Sequence, residues 1–278
     1  MSDAAALEQL GLRLDDKSSL CNASENALPC DIDASLLGVS GVKAALGQIH
    51  QATVTISHHV RSWTEEEDDG TGPEPEDHSD DPAEQTAAGE QRAKTVVDLF
   101  RLMSDVEELD LRWYSLRKRT QSAADLRERG CIDDVLKSMP FKSLQKLTLR
   151  GAYIDGLNLV ALLERCTVKQ IHLEHVHLAP ASVQPLLDCL TIKQRGLESF
   201  HLDDIFAADA IINFRIEGEA KLPMLGGAAG PSEVQRFGDA VSEPLEFEAG
   251  RRRPVGSGAY NRWMAKGREL HGPPGLYD

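Results

Sequence analysis

The 278-residue chain predicts an α/β fold, a solenoid of short parallel strands alternating with helices and closed by an irregular C-terminal cap. Two observations predict it. One spacing recurs: Leu144, Leu147 and Leu149 in LQKLTLRGAYI return as equivalent positions in VEELDLRWYSL (106–116), VKQIHLEHVHL (168–178) and LESFHLDDIF (197–206), and three of the four copies add an apolar residue five positions on, as Ile154 does here. Between these copies the apolar period changes from two to about 3.6, the change expected when strands give way to helices.

Aligned on their apolar-x-Leu pairs, the copies fall at Leu109/Leu111, Leu147/Leu149, Ile171/Leu173 and Phe200/Leu202, with intervals of 38, 24 and 29 residues. Two intervals match the ~20–29 residues of a leucine-rich repeat, one short strand and a helix per turn. The longer first interval is absorbed by the polar stretch RKRTQSAADLRERG (117–130) as a loop.

In chain order, residues 1–62 read as degenerate N-terminal repeats. LEQLGL (Leu7, Leu10, Leu12) meets the template and VTISHHV alternates like a strand. Residues 63–92 read as an acidic, disordered loop or linker. Positions 65–90 hold twelve acids and no Lys or Arg, leaving only −3 of the net −15 for the rest of the chain. Such a segment cannot bury enough apolar surface to offset its ordering entropy.

Residues 93–216 carry the leucine-rich repeats. Ala93, Val96, Val97 and Phe100 open them at helical spacing. CIDDVLKSM, GLNLVALLERC and ASVQPLLDCL then each supply a helix with one apolar face. Pro185 costs a helix a hydrogen bond if deep inside, so the last helix is expected to begin near Gln184. Residues 217–278 read as cap and tail: IINFRI (211–216) starts the cap only 14 residues after the preceding strand, PLEFE is a candidate strand, and Tyr260, Trp263 and Met264 are candidates to cover the solenoid end.

With template and tail in view, the chain resembles the C-terminal part of fungal leucine-rich-repeat proteins of the F-box type. LQKLTLRGAYI, VKQIHLEHVHLAP, LESFHL, GEAKLPMLGG and the closing YNRWMAKGRELHGPPGLYD carry the likeness, across roughly residues 93–278. The resemblance implies a substrate receptor of a cullin-type ubiquitin ligase, with ligase components as partners. LPCDIDASLL (28–37) and VRSW (60–63) resemble the ends of an F-box, but the strand-like VTISHHV stands where that module needs a helix, so no F-box is evident.

The five cysteines are scattered without a C-x-x-C pair, as expected of a reducing compartment, cytoplasm or nucleus. Cys166 and Cys189, which end similar helical patterns, read as small core residues. No run approaches the ~20 apolar residues of a membrane span, and the start lacks a secretory pattern. No phosphate-binding glycine loop or Gly-x-Ser-x-Gly elbow occurs, and low basic content disfavours nucleic acid.

The histidines invite a metal reading. His172 and His175 lie three apart on a strand and therefore on opposite faces, whereas His172 and His201 fall on adjacent strands about 5 Å apart. A histidine or metal enzyme is thus the rival reading, a structural repeat without a partner the third. The leading one is a non-enzymatic protein-binding scaffold with no cofactor.

Its surface follows from alternation. If the leucines point inward, one row of the strand face reads Asp110, Thr148, His172, His201. Its neighbour reads Arg112, Arg150, Glu174, Asp203, two cations followed by two anions. These eight residues are the expected partner contacts on a concave face, with Arg112 and Arg150 foremost and the acidic segment as their competitor.

Overall fold

The computed structural model describes residues 12–14, 19–22, 28–29, 35–57, 82–114, 130–138, 141–193, 196–207, 210–216, 222–224 and 227–249. The protein is a mixed α/β fold with parallel strands and helices. Its N-terminal elements are β1 (Leu12–Leu14), β2 (Ser19–Asn22), β3 (Leu28–Pro29), α1 (Ser40–Leu46) and β4 (Gln51–Ser57). Next come α2 (Pro82–Arg101), β5 (Glu108–Tyr114), α3 (Cys131–Ser138) and β6 (Lys146–Arg150). Then follow β7 (Tyr153–Ile154), α4 (Gly156–Arg165), β8 (Gln170–Glu174), β9 (His177–Leu178) and α5 (Val183–Asp188). β10 (Ser199–Asp203), β11 (Phe206–Ala207), β12 (Ala210–Arg215), β13 (Leu222–Met224), β14 (Gly227–Ala229), β15 (Glu233–Phe237) and β16 (Glu246–Ala249) are the last of the described strands.

The large sheet runs β1-β2-β4-β5-β6-β8-β10-β15, with β3 also on β4. From β4 to β10 all pairings are parallel, and the apolar alternates stay in register: Val54, Leu111, Leu149, Leu173 and Leu202 form one row. A one-residue slip would turn each set to the other face. All five are at most 1% exposed and join the apolar helix faces in one hydrophobic cluster. The expected helix residues Leu159, Leu162, Leu163 and Cys166, and Val183, Leu186, Leu187 and Leu190, are all buried there.

Five times a helix precedes a strand, and α2 packs on α3, α3 on α4 and α4 on α5. Polar links tie these successive units. The α4 N-cap Asp155 accepts from Leu157 N–H at 3.0 Å. Asp133 of α3 accepts from Asp155 N–H at 3.0 Å and from Asn158 Nδ2 at 2.9 and 3.0 Å. Gly156 N–H donates to Ser182 Oγ at 3.0 Å, an approach so close that a Cβ there would meet Ser182 oxygens at 2.8 and 2.9 Å.

After β6, β8 and β10 the chain makes one and the same turn. Gly151, His175 and Asp204 each follow the strand's last residue with φ of 67°, 55° and 48°. Two residues later begin β7, β9 and β11, which pair parallel into a second sheet, continued antiparallel by β12 and β16. The left-handed conformation penalises L side chains, most of all β-branched ones. Gly151→Val is expected to lower stability by about 1–2 kcal/mol, and Gly151→Asn by less, measured by urea denaturation.

Two boundaries and one strand differ from expectation. Residues 82–92, assigned by charge to the disordered segment, form the first half of α2: Pro82 stands at its first position, where no N–H partner is needed, and alanines follow. α5 begins at Val183, one residue before the expected start, so Pro185 lies in the first turn and costs no hydrogen bond. IINFRI, read as the start of the cap, adds no parallel strand. As β12 it pairs antiparallel with β11 and β16, and β15, not anticipated, closes the large sheet antiparallel to β10. The VTIS part of VTISHHV lies in β4, in full parallel register with β5, and its last three residues lie outside the described ones. The positions Leu7 and Leu10, the acidic stretch up to position 81, VRSW, positions 117–129 of the expected loop, Tyr260, Trp263 and Met264 lie outside the described residues.

Candidate functional site: the polar strand face

The residues between the buried alternates form three polar rows across six strands, β4 to β15. The first is Gln51, Glu108, Lys146, Gln170, Ser199, Phe237 and the second Thr53, Asp110, Thr148, His172, His201, Gln235. The third is Thr55, Arg112, Arg150, Glu174, Asp203, Glu233. All eight candidate residues therefore lie in the two rows expected, four in each. Asp110, Arg112, Arg150, His172 and His201 keep between 21% and 34% of their side chains exposed, while Thr148 and Glu174 are buried.

The charges of this face are spent largely on each other. Arg112 Nη2 donates to Asp110 Oδ2 at 2.9 Å on the same strand. Arg150 Nε lies 3.4 Å from Glu174 Oε2 and 3.9 Å from Asp110 Oδ1, bridging two carboxylates on its neighbours. His172 Nε2 approaches the same Glu174 oxygen at 3.6 Å. Both buried nitrogens point at one oxygen without completing a hydrogen bond. The arginines expected as the foremost partner contacts thus already have anionic neighbours in the fold.

His172 and His201 stack with ring centroids 4.5 Å apart and 29° between planes. His201 Nε2 sits 2.9 Å from Glu233 Oε1 of β15. Burial first, and then the His201 imidazole, push His172 below its ordinary value of 6.5, with Glu174 opposing. The unfolded chain therefore takes up this proton before the folded one does. Stability is expected to fall as pH drops through about 6.5 and to level off below the folded-state value. Melting temperatures from about pH 8 to about pH 5 should show this step in the wild type and a smaller one in His172→Gln.

His175, three residues from His172, turns away from this face and packs against Phe206 at 4.9 Å. In the second sheet Tyr153, His177 and Phe206 stack in a ladder with centroid spacings of 4.3 and 4.7 Å, across the paired strands β7, β9 and β11. Cys131, Cys166 and Cys189 are buried, and burial raises the Cys166 thiol, whose Sγ donates to the Phe141 carbonyl at 2.6 Å. Among the described residues, no three His, Cys, Asp or Glu side chains converge as a cation site. No helix among them is long and apolar enough to cross a membrane.

Sequence reasoning left the two outer strands out of the face. Thr53 and Thr55 sit on the recognised strand β4, but no conserved-looking leucine marks that copy, whose inward residues are Ala52, Val54 and Ile56. Glu233, Gln235 and Phe237 belong to β15, where only Val234 is buried, so period-two alternation left a single apolar mark.

The fold and its site define a mixed α/β protein whose parallel strands carry in-register rows of side chains on a face that no described element covers. The comparison goes no further: no protein-family model, no curated protein and no solved structure matches the chain.

Proposed function

We propose that the chain is a leucine-rich-repeat solenoid acting as a non-enzymatic protein-interaction scaffold, with the strand face as its concave binding surface. The observation that carries this reading is the in-register polar face itself. Parallel sheets are ordinarily covered on both faces. Here one set of alternates joins the helices in the core, and the other keeps partial exposure with no described element packed on it. Three copies of strand, left-handed residue and two-residue strand support a repeated unit. Repeat proteins bind on such surfaces because stacking the units extends them.

The resemblance to F-box-type repeat proteins adds a role as substrate receptor of a cullin-type ligase, for which copurification of the ligase adaptor is the test. Binding by the strand face is tested separately, by quantitative affinity purification of the full chain beside two variants. Asp110→Ala/Arg112→Ala removes both members of one ion pair and leaves neither uncompensated through that contact. Glu164→Ala changes an exposed position on α4. A partner should be depleted at least several-fold by the strand-face pair and retained by the helix variant. The opposite pattern would move the binding surface to the helices.

A further inference from the structure

The strand face is not uniform. At its β15 end lies a depression of about 200 Å³, walled by Lys146, Gln170, the stacked rings of His172 and His201, Gln235 and Phe237. Phe237 is 61% exposed, a large apolar side chain standing among polar neighbours. It is the last member of its row and directly opposes Ser199 across the β10–β15 pairing. From this geometry we infer that the depression is a seat for a single aromatic side chain, tryptophan or tyrosine foremost, presented by a protein partner. The inference rests on the strand face being the binding surface.

Size argues first. Small-molecule and cofactor pockets run to roughly 300–1,000 Å³, so this space suits one large side chain better than a ligand of cofactor size. The walls argue second. Flat rings on two sides, the imidazole pair and Phe237, offer the offset and edge contacts that aromatic groups prefer.

Charge argues third. The charged groups of the face have partners around the depression: Arg150 with Glu174, Lys146 with Glu108 at 3.6 Å, and Glu233 with the His201 ring. A charged anchor seated here would lose hydration and have to compete with those pairs for its counter-charge. An uncharged ring meets neither cost. The amides of Gln170 and Gln235 line the same space, within reach of an indole N–H or a phenol. Aromatic anchors held in small central pockets are also the residues that dominate protein interfaces.

The full chain is titrated with acetyl-Gly-Trp-Gly-amide, and with the same peptide carrying Glu, Lys or Leu in place of Trp. Binding is followed through the imidazole carbon–proton resonances of His172 and His201, assigned with His172→Gln and His201→Gln. The tryptophan peptide should give saturable shifts with a dissociation constant on the order of 1 mM, a plausible affinity for one isolated anchor. Phe237→Ala alters an exposed side chain, and it should weaken that binding at least five-fold while melting like the wild type.

Absence of saturable shifts, equal or tighter binding of the Glu peptide, or unchanged affinity in Phe237→Ala would overturn the aromatic seat. A purified partner distinguishes this failure from failure of the wider reading. If it is lost from Asp110→Ala/Arg112→Ala yet kept by Phe237→Ala, the strand face stands and the seat falls. If both variants keep it, both fall.

Discussion

Leu149→Asp is expected to abolish cooperative unfolding altogether. Leu149 is fully buried and sits in the middle of the parallel sheet, in register with Leu111 on one side and Leu173 on the other. A carboxyl placed there has no described polar partner, and burying an unpaired polar or charged group costs several kcal/mol against a typical total stability of ~5–15. The milder Leu149→Ala should remain folded and lose about 2–5 kcal/mol, the range for a cavity left by a buried leucine. Circular dichroism melts distinguish the three proteins. A soluble Leu149→Asp variant with a sharp transition would show that this row is not the core.

The second large effect falls on the face itself. Arg150→Glu replaces the cation that bridges Asp110 and Glu174 with a third carboxylate. The Glu174 side chain is only 8% exposed and cannot readily recover its hydration. Severing a fully buried pair costs about 3–5 kcal/mol, but Arg150 is about a third exposed, so about 1–3 kcal/mol is expected.

The pH dependence has a definite sign. Crowded carboxylates bind protons more tightly in the folded variant than in the unfolded chain, so the deficit is largest near neutrality and shrinks as pH falls and one of them protonates. Adding Glu174→Gln should restore most of the loss. If Arg150→Glu melts within about a degree of the wild type, the pairing is structurally idle and the arginines are available to a partner. If the loss is as expected, reversing Arg112 and Arg150 together cannot report on binding alone, because it disturbs folding through the same contacts.

How much of this was legible beforehand differs by element. β5, β6, β8 and β10 could be placed from the apolar-x-Leu pairs, and the faces of α2 to α5 from a 3.6 period, because those residues are buried in the pattern that the backbone imposes. The apolar residue that three of the four copies carry five positions beyond the pair hinted at something more. Ile154 and Leu178 turned out to lie in the second sheet, whose two-residue strands are too short for any alternation to be read. Gly151 could signal a left-handed turn; His175 and Asp204, which occupy the same place in later units, could not.

The sequence by itself determined the inward rows and, through strict alternation, which side chains share the outward rows. Local covalent geometry sets both. Charge content misjudged positions 82–92, since a helix with Pro82 at its head and alanines inside forms despite its acids. Only the tertiary structure decided what the outward rows do to one another. Whether Arg150 faces solvent or Glu174, whether His172 stacks on His201, and that Phe237 arrives beside them from 36 residues beyond β10's His201, all depend on strands distant in the chain lying side by side. Such contacts are set by packing across the sheet, and no pattern within one strand carries that information.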